Sequence, residues 1–447
     1  MTEKMKPSGI GWIKDIPESW KTVKVKFLAT EPETLFLDGD WIESDVIEES
    51  GIRYLTSGNV GAGFYKEQGS GHISEKTFRD LHCLKVVPGD LMISRLNEPI
   101  GRACIVPEGE PCYVVAVDNV ILRPNKEYDR KFIMYAMNTD GYAEHGNMIA
   151  RGATMSRVSR SQLGQFWLAF PNITEQCAIA DYLDAQCAKI DSVIADIEKQ
   201  IEILQKYKKS LITETVTKGI VRNTMMRKSK VEYVTFVPEH WEEKRLSIVA
   251  YVRARLGWRG LTADEYVDEG YAFLSAFNIV DDKLDLSEEL LNYITKFRYD
   301  ESPEIKLHSG DVLLVKDGAG LGKCARIDEL PFETAPNGSL AVITPNEQLH
   351  YRYLYYFLVG DVFQQRINQI KNGMGVPHLP QGDLRKVVVP IPPMDEQIAI
   401  SDYLDERCAL IDPLLKDKEK QLEIMKQHKK SLIYEYVTGK KRVTEVN

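Results

Sequence analysis

An internal repeat is the feature that most constrains this chain. Residues 171–217 read PNITEQCAIADYLDAQCAKIDSVIADIEKQIEILQKYKKSLITETVT, and residues 392–438 read PPMDEQIAISDYLDERCALIDPLLKDKEKQLEIMKQHKKSLIYEYVT. The two segments align without a gap at an offset of 221 (392 − 171) and agree at roughly 27 of 47 positions. Similarity at one fixed offset indicates a duplicated structural unit. The chain is therefore expected to fold as two related halves.

The same offset recurs outside this segment. IPESW ends at Trp20 and VPEHW ends at Trp241, while the turn Gly89-Asp90 matches Gly310-Asp311. The diverged region before each preserved segment keeps only such landmarks, so we expect one scaffold with two different tasks. The expected division is an N-terminal extension (1–15), a first recognition domain (16–170), a central spacer helix (171–220), a linker (221–236), a second recognition domain (237–391), a C-terminal spacer helix (392–440) and a tail (441–447).

The preserved segments have the apolar spacing of long coiled-coil helices. Apolar residues alternate at intervals of four and three, which is a heptad pattern. Lys208 and Lys429 fall on this seam, where a charge costs stability but can fix register. Ordinary core helices are the alternative, but such helices are much shorter. Two seams in one chain would most simply pair antiparallel. The predicted seam consists of Cys187, Ile190, Ile194, Ile197, Ile201, Leu204, Leu211, Cys408, Ile411, Leu415, Leu422, Met425 and Leu432.

The diverged regions mix short β-like runs, such as VVPGDLMIS and LAVITP, with short helical pieces such as RKFIMYAMNT. Glycine, proline and asparagine separate these runs. The predicted fold class is therefore α+β, with two tandem recognition domains separated by two long antiparallel coiled-coil helices and a pseudo-two-fold internal repeat.

The formal net charge of −9 argues against nucleic-acid binding for the molecule as a whole, but DNA meets only one face. Residues 145–174, 244–263 and 362–382 contain no aspartate or glutamate, yet they carry several cations. Cations without nearby carboxylates suit phosphate contact, and arginine can also read guanine. A solvated surface is the alternative for each stretch. The predicted DNA-binding residues are Arg151, Arg157, Arg160, Arg253, Arg255, Arg259, Lys371 and His378.

Several other kinds of site find no support in the sequence. The stretch DGAGLGKCA resembles a phosphate-binding loop, but Asp317 replaces its first glycine and Cys324 its serine or threonine. The seven cysteines show no zinc-binding spacing, so no metal is expected. The N-terminus lacks a signal-peptide core and no apolar run would span a bilayer, so we expect a cytoplasmic protein without membrane contact. No known catalytic motif occurs, although an active site of another kind stays open.

With these features together, the chain resembles the specificity subunit of type I restriction–modification systems. The resemblance rests on IPESW and VPEHW, on the signature that runs from Leu163 to Gln176 and from Leu384 to Gln397, and on the long helix behind each signature. The first copy, FPNITEQ, lacks the second proline of the family pattern. The resemblance covers almost the whole chain.

The resemblance implies a non-catalytic subunit that reads a bipartite, asymmetric site in double-stranded DNA, one half-site per recognition domain. The paired helices would set the gap between half-sites. It further implies two methyltransferase partners, which flip out and methylate adenine with S-adenosylmethionine, and restriction subunits that act as motor and nuclease. This chain itself would need no cofactor. A protein-binding scaffold with a coiled-coil spacer and no nucleic-acid role is the competing hypothesis.

Overall fold

The computed structural model describes residues 4–96, 98–150, 156–221, 223–231, 233–254, 261, 265–371 and 376–443. The chain forms two compact units. The first unit consists of Met1–Ile197 and Lys420–Asn447, and the second consists of Glu198–Glu419. Because these divisions fall inside the two long helices, each unit contains part of both.

The first unit contains a four-stranded antiparallel sheet in the order β4-β10-β7-β8, a three-stranded sheet in the order β6-β5-β9, and the pairs β1–β2 and β3–β11. Its elements are β1 (Met5–Pro7), β2 (Asp15–Pro17), β3 (Lys21–Lys24), β4 (Leu35–Asp38), β5 (Ile52–Leu55), β6 (His72–Ile73), α1 (Glu75–Asp80), β7 (Leu91–Ser94), β8 (Ala103–Ile105), β9 (Tyr113–Val115), β10 (Asn119–Arg123), α2 (Arg130–Met137), α3 (Asp140–Ile149), α4 (Arg160–Leu163), β11 (Trp167–Phe170) and then the long helix α5 (Ile173–Lys218).

The second unit contains sheets in the orders β15-β24-β21-β22 and β16-β20-β17-β23, together with the pairs β12–β13, β14–β25 and β18–β19. Its elements are β12 (Met226–Lys228), β13 (Phe236–Pro238), β14 (Glu242–Arg245), α6 (Leu246–Val249), β15 (Ala250–Arg253), β16 (Tyr266–Val267), β17 (Tyr271–Leu274), β18 (Ile279–Val280), β19 (Lys283–Leu284), β20 (Asn292–Ile294), α7 (Lys296–Asp300), β21 (Val312–Val315), β22 (Cys324–Arg326), β23 (Thr334–Pro336), β24 (Leu340–Pro345), α8 (Tyr351–Val359), α9 (Asp361–Ile370), α10 (Gln381–Leu384), β25 (Val388–Ile391) and the long helix α11 (Met394–Val437).

The duplication is visible strand by strand. The first residues of β7, β8, β9, β10 and β11 match those of β21, β22, β23, β24 and β25 at the offset of the sequence repeat. The inner strands β7 and β21 are buried along their whole length because both faces of each sheet are covered. Leu91 and Ile93 pack into one apolar cluster, whereas Met92 belongs to another. This burial explains why VVPGDLMIS has no polar alternation. The predicted α+β class and internal repeat are confirmed.

The long helices pair antiparallel. In the first unit the rings of Tyr182 and Tyr436 lie 4.7 Å apart, and further along α5 the side chain of Lys429 reaches Asp191 at 2.6 Å. As residue numbers rise along α5, the numbers of the contacting residues in α11 fall, which is the pattern of an antiparallel pair. α5 has 46 residues and α11 has 44, and each lies within the span expected for it, 171–220 and 392–440. Every predicted seam position is buried or half-buried.

Two segments fold differently from the expected domain division. β1, in the expected N-terminal extension, pairs with β2 across the expected boundary at residue 15, and Ile13 is buried in the core of the first unit. β12, in the expected linker, pairs with β13 across the expected boundary at residue 236, and Val231 and Val234 are buried in the core of the second unit. Each repeat therefore begins earlier in the chain than the sequence suggested.

Among the described residues, no helix is long and apolar enough for a membrane span.

The signature residues explain how each sheet region joins its long helix. Trp20 and Trp241 are buried in the two main cores. The buried side chain of Gln176 accepts from the backbone N–H of Asp129 at 2.8 Å and donates to two carbonyls. Gln397 makes the matching bonds, including one of 2.8 Å from the N–H of His350. Because a buried amide needs its partners, this glutamine fixes the loop against the helix start.

Candidate DNA interface

In each unit a basic residue follows a fully buried strand, which is β7 in the first unit and β21 in the second. At this point the chain meets a segment that carries predicted DNA-binding residues. Arg95 follows β7, and Lys316 follows β21. The next residue bridges to that segment, as Leu96 with Arg157 in the first unit and Asp317 with His378 in the second. These bridges again match at the offset of the repeat. The two places are called here the first and second strand-end sites.

The first strand-end site joins three arginines and two aspartates. Arg157 and Arg160 are part-exposed and lie 3.1 Å from Asp118 and 3.4 Å from Asp38 respectively. Arg95 is buried, and its Nε lies 3.3 Å from Asp38. Burial lowers the pKa of Arg95, although Asp38 partly offsets this. Three guanidinium groups against two carboxylates leave one positive charge, with Arg157 and Arg160 facing solvent.

The second strand-end site has different chemistry on the same frame. The carboxylate of Asp317 contacts both Nδ1 of His378 and, at 2.7 Å, the amine of Lys316. Lys371 caps the C-terminal end of α9 and donates to Asn368 at 2.9 Å. A lysine, an aspartate and a histidine therefore replace the arginine-rich set of the first unit.

The expectation of acid-free surroundings is wrong for Arg157, Arg160 and His378, because each meets an aspartate that is distant in sequence. Paired, half-exposed side chains can still exchange partners with DNA, so their role in DNA contact stays a prediction. Predicted Arg151, Arg255 and Arg259 lie outside the described residues.

Arg253 has a structural role instead of the predicted DNA contact. Its buried guanidinium lies 2.8 Å from the fully buried carboxylate of Asp311 and donates to the carbonyls of Glu304 and Lys306 at 2.9 Å. A charge with these partners is held inside the fold. The Gly-Asp landmark explains the pairing, since Asp90 in the first unit likewise binds Arg123 at 2.7 Å.

One aspartate in each long helix attaches the helix to its sheet region, and the sequence spacing did not reveal it. Asp184 of α5 accepts from Lys131 at 2.5 Å and from Tyr135 at 2.7 Å, both in α2. Its equivalent in α11, Asp405, accepts from Arg326, Arg352 and Tyr356 at 2.6, 2.8 and 2.6 Å. The signal that could have found them is DYLD, which both copies of the repeat contain at matching positions.

Comparison with known proteins agrees with this architecture. Residues 238–424 match the family described as type I restriction modification DNA specificity domain. The chain is 26% identical over 381 residues to the putative type I restriction enzyme MjaX specificity subunit of Methanocaldococcus jannaschii, covering 83% of each chain. It is 23% identical over 451 residues to the MjaIX specificity subunit of the same organism, covering 97% of this chain and 96% of that one.

A solved chain from a study of complex assembly and conformational transition of the type I R-M system has a TM-score of 0.69 at 15% identity. The match covers 94% of this chain and 98% of that chain. At this identity the likeness establishes the fold. The fold, the family match of the second unit and the similarity to specificity subunits agree with one another. Residues 238–424 therefore match the DNA specificity domain of type I restriction–modification systems, and the chain is similar along most of its length to specificity subunits of type I restriction enzymes.

Proposed function

We propose that the chain reads a bipartite, asymmetric DNA site, with one half-site for each unit. The observation that carries this proposal is the pair of strand-end sites. They occupy equivalent positions in the two copies of the repeat, yet they differ in their ionisable groups. One frame with two different sets of contacts suits two different half-sequences.

Helices α5 and α11 are proposed to set the number of base pairs between the half-sites. This is supported by their continuity, since α5 runs unbroken for 46 residues and α11 for 44, and each contributes to both units. An α-helix has a fixed rise of about 1.5 Å per residue, so a paired helix is a spacer of fixed length. A flexible linker of similar length would not define one gap.

The proposed partners are double-stranded DNA, two methyltransferase subunits and restriction subunits with motor and nuclease activity. S-adenosylmethionine would bind to the methyltransferase subunits. Support comes from the family, whose members are named as specificity subunits of type I restriction enzymes. The internal repeat supports two copies of the methyltransferase, because a duplicated subunit can offer the same kind of surface twice.

A domain exchange tests the bipartite reading. Residues 25–166 lie between β3 and β11, whose pairing closes the sheet region of the first unit. Replacing these residues with the equivalent part of a relative should change one half-site in the methylome and leave the other half-site and the gap unchanged. The matched exchange of residues 246–387, between β14 and β25, should change the other half-site. A change in both half-sites from one exchange would contradict the proposal.

DNA binding by the assembled complex separates this function from a protein scaffold. Neutralising several phosphates makes the binding constant fall steeply with salt, with a slope that counts the contacts. A complex that binds DNA with no salt dependence, or a methyltransferase that binds its site equally well without this chain, would favour the scaffold.

A further inference from the structure

The second unit contains a three-membered charge cluster at the pairing of the long helices. Asp412 of α11 contacts Lys208 of α5 at 2.6 Å through one carboxylate oxygen and Lys283 at 2.6 Å through the other. Only 24% of the Asp412 side chain is exposed. Burial acts to raise the pKa of Asp412, but hydrogen bonds from Lys208 and Lys283 lower it below the ordinary value. The carboxylate therefore stays charged and holds both lysines.

The first unit contains the equivalent aspartate–lysine ion pair between the two long helices, but without a counterpart of Lys283 among the described residues. Asp191 and Lys429, which match Asp412 and Lys208 in the repeat, lie 2.6 Å apart. The Asp191 side chain is 54% exposed. Within the described residues, no second lysine or arginine contacts Asp191. The duplication therefore supplies a natural control, which is the same aspartate–lysine ion pair without a counterpart of Lys283 among the described residues.

Lys283 belongs to a tightly fixed turn of the second unit. The turn joins β18 to β19 through Asp281 and Asp282, whose φ values are 51° and 58°, the combination that a two-residue hairpin turn requires. The half-buried Asp282 side chain accepts from the N–H of Cys324 at 3.1 Å, and the Asp282 backbone carbonyl accepts from the Tyr355 hydroxyl at 2.8 Å. Through its contact with Asp412, Lys283 thus connects the sheet region of the second unit to the paired long helices.

A proline immediately follows the acid of this cluster. Pro413 lies inside α11 and cannot donate a helical hydrogen bond, and it disfavours the helical conformation of Asp412. The helix is intrinsically weakest where Asp412 is held by two lysines. Loss of those contacts should therefore loosen the attachment locally.

We propose that Asp412 is a specificity-determining positioning residue. By holding Lys208 of the opposing helix and Lys283 of the second sheet region, it fixes where that region sits along the spacer, and so restricts the complex to one gap length. This inference rests on the proposed function of the helices as spacer.

The test is methylation by the complete complex, with the half-sites first read from the methylome of the unaltered chain. A plasmid library then presents both half-sites at gaps from the native length to a few base pairs shorter or longer. Asp412→Asn, which removes the contact to both lysines, should raise methylation at gaps one base pair from the native length by about tenfold. Lys283→Met removes only the exposed lysine's contact and should raise it by about threefold. Both half-site sequences should stay unchanged. Lys283 is 65% exposed, so its replacement leaves the core intact even if Asp412→Asn folds poorly.

Two controls separate this effect from general loosening. Lys283→Arg keeps the cation and should keep the native gap preference. Asp191→Asn removes the equivalent helix pair in the first unit and should change off-gap methylation by less than about twofold, as expected for an exposed pair. An unchanged gap preference in Lys283→Met, or equal broadening in Asp191→Asn and Asp412→Asn, would overturn the inference.

Lengthening both helices by one heptad in the same assay reports on the proposed function separately. A gap that does not move in that variant overturns the helices as spacer. A gap that moves there, while Lys283→Met leaves the gap preference narrow, overturns only the role of Asp412.

Discussion

Replacing Asp405 with asparagine should destabilise the second unit much more than the same change at Asp184 destabilises the first. Asp405 receives hydrogen bonds from Arg326, Arg352 and Tyr356 and is 27% exposed. Its equivalent Asp184 receives one lysine and one tyrosine, and that lysine is 46% exposed. The two sites therefore differ in the number of cations that would lose their partner.

The magnitudes follow from burial. Removing one member of a fully buried ion pair costs about 3–5 kcal/mol, whereas exposed pairs contribute less than about 1 kcal/mol. Asp405 lies between these limits, and Arg352 keeps a second carboxylate, Asp402, at 2.7 Å. We expect a loss of about 2 kcal/mol for Asp405→Asn and less than about 1 kcal/mol for Asp184→Asn. For a unit of this size, a loss of about 2 kcal/mol lowers Tm by about 4–8 °C.

The effect of Asp405→Asn should also depend on pH. Burial acts to raise the pKa of Asp405, but hydrogen bonds from Tyr356, Arg326 and Arg352 lower it below the ordinary value. Because the folded pKa is depressed, the stabilisation is complete above the unfolded pKa of about 4 and is lost as pH falls through the folded pKa. The difference between the unaltered chain and Asp405→Asn should therefore be constant near neutrality and shrink below about pH 4.

Calorimetric melts from about pH 3 to about pH 8 span this transition and measure both effects, and hydrogen exchange assigns the loosened region to one unit. The expected result is faster exchange in α8 and β22 of Asp405→Asn with no change in the first unit. Equal destabilisation by the two asparagine variants would refute the reasoning from burial and cation number. A difference that grows as the solution becomes more acidic than the unfolded pKa would refute the assignment of a depressed pKa.

Further predictions concern single contacts. Arg157→Ala in the complete complex should weaken DNA binding. If Arg157 contacts a phosphate, its loss should lower the slope of the salt dependence by about one for all DNA sequences. If it contacts a base, its loss should cost about 1–3 kcal/mol and reduce selectivity at one base pair of the site. Fluorescence anisotropy at several salt concentrations measures this, and unchanged affinity and selectivity would remove Arg157 from the interface. Arg253→Met should lower the free energy of unfolding of the second unit by about 3 kcal/mol, because it leaves the buried Asp311 carboxylate unpaired; urea titration with no loss would contradict that role. In a double-mutant cycle, Asp191 and Lys429 should couple by less than about 1 kcal/mol, and a coupling as large as that between Asp412 and Lys208 would contradict the difference in burial.

The sequence predicted the long helices well because their signal is local and periodic. Heptad spacing continues along most of each helix, and glycines with positive φ follow both helices, Gly219 at 76° and Gly439 at 70°. The mixture of short β-like runs and helical pieces then predicted the α+β class, and landmarks as sparse as Gly89-Asp90 showed that both sheet regions share one frame. Features that repeat along the chain were therefore accessible.

Short pairings and distant partners were not accessible. The hairpins β1–β2 and β12–β13 have short strands with no apolar alternation, so they read as an extension and a linker. A stretch without acids also says nothing about acids that folding brings near. Asp38 and Arg160 lie at opposite ends of the first sheet region in sequence, yet their side chains meet at 3.4 Å. Ion pairing across such separations depends on strand order, which sequence spacing does not contain.

The most direct test of the account lengthens both spacer helices together. One heptad inserted after Gln200 in α5 and another after Gln421 in α11, which are equivalent positions in the repeat, keep the seam in phase and preserve both aspartate–lysine pairs. The helices then grow by about 10 Å, equivalent to at most about three base pairs at about 3.4 Å each. An insertion of about two residues in each helix would instead turn the seam by about 200° and should abolish assembly.

The deciding measurement is the methylome of a host that carries the heptad-insertion variant with its methyltransferase subunits. We expect the same two half-site sequences, separated by a gap that is about one to three base pairs longer. Full methylation at the original gap would show that the paired helices do not set the spacing and would contradict the central claim.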